Sequence, residues 1–329
     1  LVEPAVHSAS TSHRRDATSA PPLAALRAPV AMAVFARPDL TARVLDAVRA
    51  ARPSRLLVFA NAPRPEVPGE AELCADTRAL FDRVDWPCEL ETRFADSHMD
   101  LRESVGSGIG WVFERAEEAI VLEDDCLPDP SFFPFCDELL ERYRDDERVW
   151  AISGDDFRFR EAPAAESYVF SRYPLIWGWA TWRRAWRNFD GEVAAWPELR
   201  DSGWLDELLG DRHSVQYWTH QFESLRRGLD TWDYAWVLAC WIGRGLTALP
   251  TRNLVSNLGF RADATHTTQA AGPSPFAALP TEPLEFPLVH PPAVARDEAN
   301  DAFIEDVMFG GNLRRTFERL RGSRAGVPA

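Results

Sequence analysis

The sequence has few methionines, no cysteine pattern typical of a metal site and no long apolar run. Only three of its 329 residues are methionine, and its five cysteines form neither a C-x-x-C pair nor a Cys/His spacing of the zinc-binding kind. Their odd number favours buried, reduced thiols over a disulfide framework. No apolar stretch approaches the roughly 20 residues that span a bilayer, and the N-terminus lacks the apolar core of a secretory signal. These absences predict a cytoplasmic protein without an integral membrane segment.

Positive charge is also scarce. Lysine and arginine total 36 against 51 aspartates and glutamates, which gives a formal net charge of −15. This charge argues against nucleic acid or an anionic membrane as the main partner, but it leaves room for a local basic pocket that binds a small polyanion. Hydrophobic residues make up 46% and charged residues 26%, so the chain has enough apolar material for a sizeable core.

The chain divides by composition into four regions. Residues 1–27 are rich in Ala, Ser, Thr and Pro and are expected to form a disordered leader. Residues 28–160 alternate strand and helix patterns. Residues 161–295 are rich first in aromatic residues and then in proline, and 296–329 is expected to be a C-terminal helical extension.

The alternating region predicts the fold class. Its apolar runs, each expected to be a strand, lie at 30–36, 55–60, 88–94, 119–122 and 149–153. Helical spacings of apolar residues lie between them, which predicts an α/β fold with helices on both faces of a mostly parallel sheet. Ligands of such sheets bind in a crevice at the carboxyl ends of the strands.

Three consecutive carboxylates, Glu123, Asp124 and Asp125, follow the fourth apolar run directly. Such carboxylates repel one another and are costly to bury without a partner. A divalent cation that prefers oxygen, Mg²⁺ or Mn²⁺, relieves the repulsion and bridges to phosphate oxygens. Period-two strand geometry would place Glu123 and Asp125 on one side and Asp124 on the other. The triplet therefore indicates a metal–phosphate site, and a solvated acidic turn or helix-capping carboxylates are the alternative.

Several long blocks, in order along the chain, resemble GT-A-fold glycosyltransferases. They are VLEDDCLPDPSFFPFCDELLERY (121–143), ISGDDF (152–157), YVFSRYPLIWGWATWRRAW (168–186), TWDYAWVLACW (231–241) and PTRNLVSNLGFRADATHT (250–267). The blocks are similar to bacterial nucleotide-diphospho-sugar transferases sometimes labelled hemolytic-protein-like and, more distantly, to N-acetylglucosaminyltransferase I. The resemblance covers roughly residues 29–292. It implies a Rossmann-like GT-A fold, a nucleotide-diphosphate sugar as donor, and Mn²⁺ or Mg²⁺ as cofactor.

The resemblance assigns roles in metal binding. By similarity, Asp125 is the direct metal ligand, and Glu123 and Asp124 contact the donor sugar and ribose. His266, in the ADATHT segment, matches a position where such enzymes place a second metal or diphosphate ligand. A loop histidine bonded to the backbone is the alternative for His266.

Other residues are expected near the donor's base and diphosphate. Arg37 follows the first predicted strand at the family's ARP/NRP position, and Asn61 follows the second where relatives have Asp-Gly-Pro. An amide both accepts and donates hydrogen bonds, so the base of the donor stays open. UDP is favoured, and GDP and dTDP are the alternatives. His98–Asp100 departs from the Asn-Leu-Gly of relatives. Nearby Arg102 is expected either to neutralise the diphosphate or to lie on a helix surface.

Asp233 is the candidate catalytic base. It precedes an apolar, helix-like run at 235–241 and matches the WD motif of inverting GT-A enzymes. In an inverting transfer, a base removes the proton of the acceptor hydroxyl. A helix N-terminus favours the ionised carboxylate, which is the form a base needs. An aspartate that only caps the helix is the alternative.

Trp177, Trp179 and Trp182 lie in a WGWATW run. In an extended segment the first two rings would face one side and pack against a sugar, which predicts an acceptor-binding floor. The alternative is a core wedge between the two halves of the protein.

These patterns together predict a metal-dependent, inverting glycosyltransferase whose acceptor is a saccharide or a small molecule. Residues 28–160 would form the nucleotide-sugar-binding half, and 161–295 the acceptor-binding half. One alternative is a catalytically silent sugar- or nucleotide-binding subunit. Another is a sugar-nucleotide pyrophosphorylase, which the absence of a glycine-rich loop after the first strand disfavours.

Overall fold

The centre of the fold is an eight-stranded mixed sheet. A computed structural model describes residues 26–158, 165–261 and 276–309. The strands of the large sheet, in spatial order, are β3 (Glu89–Phe94), β2 (Arg55–Ala60), β1 (Val30–Val34), β4 (Glu118–Glu123), β8 (Trp179–Trp182), β6 (Val149–Ser153), β9 (Leu246–Pro250) and β7 (Tyr168–Ser171). Six of the eight run in one direction, and only β8 and β7 are antiparallel to their neighbours. A second, two-stranded sheet pairs β5 (Cys126–Pro128) with β10 (Val255–Asn257).

Helices flank this sheet. They are α1 (Pro38–Ala51), α2 (Glu70–Ala79), α3 (Leu101–Arg115), α4 (Phe132–Arg142), α5 (Arg183–Trp186), α6 (Trp196–Asp201), α7 (Trp204–Leu209), α8 (Arg212–Arg226), α9 (Asp233–Ile242) and α10 (Glu298–Ile304). A 3-10 turn, Leu80–Arg83, extends α2, and a π-helical turn, Glu305–Phe309, extends α10. The structure confirms the predicted α/β fold with its mostly parallel, helix-covered sheet. The expected leader and C-terminal extension lie outside the described residues except for 26–27 and 296–309.

The second half of the chain completes the sheet, which the sequence did not predict. Strand β8 lies between β4 and β6, so the two halves share one sheet instead of forming separate ones. All four residues of β8 are buried. A strand covered on both faces has no alternation of apolar and polar residues, so the sequence carries no periodic signal for it. β5 gives no periodic signal either, because three residues are too few to show a period.

The two faces of the sheet bury different side chains of the same strands. Along β1, Val30, Met32 and Val34 pack in the cluster that contains α1 and α4, whereas Ala31 packs in the cluster that contains α3 and α9. This division follows from the period of two along a strand. A third cluster joins α8 and α9 around Trp218, whose ring centroid lies 4.7 Å from that of Trp241. Most tryptophans of this chain are therefore core residues.

All five cysteines are free thiols, and four of them are buried, as predicted. Among the described residues, no helix combines the length and the apolar character needed to cross a membrane.

The contact between α3 and β2 yields a prediction about stability. A Cβ added at Gly108 would lie 2.2 Å from Cδ2 of Phe59, whereas one at Gly110 in the same helix would meet nothing within 4 Å. We expect Gly108→Ala to lower the free energy of unfolding by about 1–3 kcal/mol through overpacking. Gly110→Ala should leave it unchanged or raise it by up to about 1 kcal/mol, because alanine favours helix. Urea denaturation of both variants measures this, and equal stabilities would contradict the packing.

Candidate functional site

A cleft of about 350 Å³ opens at the carboxyl ends of β1, β2 and β4. Predicted site residues that line it are Arg37, Asn61, Glu123, Asp124, Asp125, Trp177 and Asp233. Arg102, Trp179 and Trp182 are not among its lining residues, and His266 lies outside the described residues. The position agrees with the general rule for ligand crevices of open α/β sheets.

A tight turn brings the acidic triplet together. β4 ends at Glu123, Asp124 and Asp125 form the turn, and β5 begins at the next residue. The turn replaces the extended backbone that would have placed alternate carboxylates on opposite sides. All three carboxylates consequently line one cleft.

Asp124 fixes the turn to the end of β1. Its Oδ2 accepts a hydrogen bond from the backbone N–H of Phe35 at 3.1 Å, and its Oδ1 accepts one from Nη1 of Arg37 at 3.3 Å. The residue is buried. Both of its oxygens therefore contact the protein, and Asp124 joins the ends of two neighbouring strands.

Asp125 lies beside the second sheet. Nη1 of Arg37 donates to its Oδ2 at 2.7 Å, and the thiol of Cys126 lies 3.4 Å from its Oδ1. Its backbone carbonyl accepts from the N–H of Leu258 at 2.8 Å. A Cβ built on Gly259 would lie only 2.0 Å from Oδ2 of Asp125. The absence of a side chain at position 259 therefore makes the space in which this carboxylate lies.

The buried triplet carries negative charge that the protein compensates only in part. Burial, and then the charges of Asp125, Asp124 and Asp233, raise the pKa of Glu123 to about 8. Burial and the charge of Asp125 likewise raise the pKa of Asp124 to about 7, against the opposing effect of Arg37. A further cation at this position would stabilise the ionised carboxylates.

The donor set of the cleft suits a hard cation that also binds phosphate. Carboxylate oxygens are the ligands that Mg²⁺ and Mn²⁺ prefer. Within the described ranges, no three His, Cys, Asp or Glu side chains converge closely enough to hold a metal ion by themselves. One or two protein carboxylates completed by substrate phosphates and water are a common arrangement for Mg²⁺. The residues present fit a metal that binds together with a phosphate ligand.

The side-chain amide of Asn61 forms hydrogen bonds with the backbone. Its Oδ1 accepts from the N–H groups of Met99 and Ala62 at 3.0 and 2.9 Å, and its Nδ2 donates to the carbonyl of Met99 at 2.7 Å. Nδ1 of His98 lies 2.7 Å from the carbonyl of Ala62. Since a carbonyl only accepts, Nδ1 carries the proton in this contact and Nε2 of a neutral ring is an acceptor. Asn61 thus holds the loop that carries His98 and Met99 against the end of β2.

Asp230 is a cleft residue that the sequence did not indicate. Its two carboxylate oxygens accept from the backbone N–H groups of Leu101 and Arg102, each at 2.9 Å, and so satisfy the N-terminus of α3. The partners are more than 120 residues apart, so no local motif reveals them. The guanidinium of Arg102 donates to the carbonyls of Gly191 and Leu225. Arg102 therefore ties α3 to the second half of the chain and is not directed into the cleft.

Asp233 is the first residue of α9, at the helix N-terminus where the sequence placed it. The hydroxyl of Thr231 donates to Oδ1 of Asp233, and both residues line the cleft. The charge of Asp233 also reaches Glu123, whose pKa it helps to raise. The cleft thus holds a fourth carboxylate on a different element from the triplet.

The three tryptophans of the WGWATW run have different surroundings. Trp177 is half-buried in the cleft wall, and its backbone N–H donates to buried Asp155 at 3.0 Å. Gly178 has a φ of +71°, which ends the extended alternation that would have aligned Trp177 with Trp179. Trp179 and Trp182 are 1% and 2% exposed and pack on opposite faces of the sheet. Contrary to the sequence-based expectation, these two rings are core residues.

The two solved structures compared with this chain are distant likenesses of it. No family model and no curated protein matches the sequence. Among solved structures, HddC from Yersinia pseudotuberculosis is 10% identical with a TM-score of 0.31, over 51% of this chain and 86% of its own. The 4-diphosphocytidyl-2C-methyl-D-erythritol synthase from Anaerococcus prevotii is 8% identical with a TM-score of 0.28, over 49% of this chain and 73% of its own. Similarity this distant says nothing about what this chain binds or does.

The contacts of Asp230 yield a prediction about local stability. Replacing it with alanine removes the acceptor of two N–H groups at the N-terminus of α3, so we expect Asp230→Ala to lower the free energy of unfolding by about 1–2 kcal/mol. Hydrogen exchange should accelerate more at the amides of Leu101 and Arg102 than elsewhere in α3. Asp76→Ala, at an exposed position of α2, should change the free energy by less than about 0.5 kcal/mol. Unchanged exchange at the start of α3 would contradict this role.

Proposed function

We propose that this chain is a metal-dependent glycosyltransferase that moves a sugar from a nucleoside-diphosphate donor to an acceptor hydroxyl with inversion. One observation carries the proposal: a single cleft at the carboxyl ends of the strands contains both the acidic triplet and a separate carboxylate, Asp233, at a helix N-terminus. The first set suits a metal-bound diphosphate, and the second suits a base that acts on the acceptor.

Asp125 would hold the metal, Mn²⁺ or Mg²⁺, through the carboxylate that faces Gly259. When bound, the metal would act as a Lewis acid toward the negative charge that grows on the leaving diphosphate. Glu123 and Asp124 would line the donor-sugar and ribose side of the same site. His266 stays a predicted second ligand to the metal or diphosphate. Arg102 is a weaker candidate for the diphosphate, because its guanidinium already bonds to the carbonyls of Gly191 and Leu225.

The base of the donor would lie between the ends of β1 and β2. Asn61 has both lone pairs of its Oδ1 engaged, so it offers a base at most its remaining amide hydrogen. His98 lines the cleft, and its accepting Nε2 suits the imide N–H of uracil, thymine or guanine. This pattern fits UDP-, dTDP- and GDP-sugars alike, and a UDP-sugar stays the favoured donor of the sequence analysis.

Asp233 would remove the proton of the acceptor hydroxyl. The N-terminus of α9 and the hydroxyl of Thr231 both favour its ionised form, which can accept that proton. The half-buried ring of Trp177 would provide an apolar face against a sugar, held by the bond from its backbone to Asp155. Trp179 and Trp182 have no such role in this proposal, because both are buried.

Thermal unfolding with nucleotides tests the donor site. With UDP at about 100 times its Kd in the presence of Mn²⁺, bound ligand should add about 2.7 kcal/mol of stability, a shift of several degrees in Tm. Asp125→Ala should abolish the shift, and so should Gly259→Ala, whose Cβ would displace the carboxylate. Gly110→Ala is the matched control and should keep it. No shift with UDP, dTDP or GDP would contradict the donor site.

The role of Asp233 is tested by substitution with its neutral isostere. We expect Asp233→Asn to lower kcat by about 10²- to 10⁴-fold, the usual contribution of a general base, while donor affinity stays within about threefold. Release of nucleotide from the donor in the presence of a saccharide acceptor, followed by chromatography, supplies the rate. If wild type binds UDP but turns over no donor with any saccharide acceptor, the chain is a binding subunit instead of an enzyme.

A further inference from the structure

Arg37 already places a positive charge where the proposed metal would bind. Its Nη1 lies 2.7 Å from Oδ2 of Asp125 and 3.3 Å from Oδ1 of Asp124, so one nitrogen bridges the two carboxylates. The three side chains are only 9–19% exposed. A guanidinium cannot lose its charge by deprotonation in a protein. The pair of carboxylates is therefore neutralised in part by the chain itself.

The surroundings of Asp125 prevent its Oδ2 from contacting Arg37 and a metal ion at the same time. Its Oδ2 faces the backbone of Gly259 so closely that an added Cβ would lie 2.0 Å away, and its Oδ1 is next to the thiol of Cys126. A divalent ion that takes Oδ2 would meet the guanidinium at bonding distance from the same atom. Two cations so close repel each other strongly. One of them has to leave.

The backbone of Arg37 is fixed, whereas its side chain is long enough to turn away. Its carbonyl accepts from the N–H and the hydroxyl of Thr41, at 2.9 and 2.8 Å, in the first turn of α1. Arg37 also lines the cleft in which a diphosphate would lie. The planar fork of a guanidinium binds phosphate oxygens in pairs, so a diphosphate offers it a replacement for the carboxylates.

We propose that Arg37 is an exchangeable counter-ion of the carboxylate pair, displaced by the metal and transferred to the diphosphate of the donor. This inference rests on the proposed function and adds a coupling to it. The metal alone has to compete with Arg37, whereas a metal that arrives with a nucleoside diphosphate supplies Arg37 with new partners. Metal and nucleotide therefore bind cooperatively, and by linkage each raises the affinity of the other by the same factor.

The test is Mn²⁺ binding by the full chain, followed through the electron paramagnetic resonance signal of free Mn²⁺, with and without UDP. We expect Arg37→Gln to bind Mn²⁺ alone about tenfold more tightly than wild type, because the competing charge is gone. The factor by which UDP increases Mn²⁺ affinity should fall about tenfold in the same variant. Arg37→Lys keeps the charge and should bind Mn²⁺ alone within about threefold of wild type. Urea denaturation verifies that each variant is folded.

Arg64→Gln is the matched control for the loss of one positive charge from the cleft. The Arg64 guanidinium lines the same cleft but pairs with Glu70 at 2.5 Å. Arg64→Gln should change Mn²⁺ affinity less than twofold. Equal gains in Arg37→Gln and Arg64→Gln would mean general electrostatics and would overturn the exchange.

The remaining outcomes separate this inference from the proposed function. If wild type binds Mn²⁺ and Arg37→Gln binds it equally well or more weakly, the exchange by Arg37 is overturned, whereas the metal site is not. Binding detectable only in Arg37→Gln supports it, since competition then hides the site in wild type. No binding by either protein, with or without UDP, overturns both the exchange and the metal site.

Discussion

The structure of the site depends on the concentration of negative charge at the end of one buried strand. Three consecutive carboxylates close β4, and burial raises the pKa of two of them. The neighbouring elements are arranged around that charge: the N–H of Phe35 and the guanidinium of Arg37 face Asp124, and Gly259 leaves space beside Asp125. A charge that the protein compensates only in part is suited to a ligand that brings a cation.

The sheet determines which groups face these carboxylates. Because β1, β2 and β4 are parallel neighbours, their carboxyl ends meet at one edge. The antiparallel insertion of β8 between β4 and β6 brings the second half of the chain onto the same sheet. Asp230 then joins this half to α3, three residues before Asp233 begins α9. Acid groups from distant parts of the sequence thus come to line a single cleft.

Much of the first half could be predicted from local patterns, since the runs at 55–60 and 149–153 coincide with β2 and β6. What could not be predicted depends on contacts between distant residues. The amide of Asn61 is engaged by Met99, 38 residues later, and Asp230 by an N-terminus more than 120 residues earlier. Trp179 and Trp182 are buried because β8 occupies the middle of the sheet, which a four-residue strand does not reveal.

The most direct measurement is an anomalous difference map from crystals grown with Mn²⁺ and UDP. We expect one manganese peak at about 2 Å from a carboxylate oxygen of Asp125, with diphosphate oxygens completing its coordination. We also expect the guanidinium of Arg37 to have moved from Asp125 to the diphosphate. A UDP molecule bound elsewhere, or one bound in this cleft with no manganese at Asp125, would contradict the account.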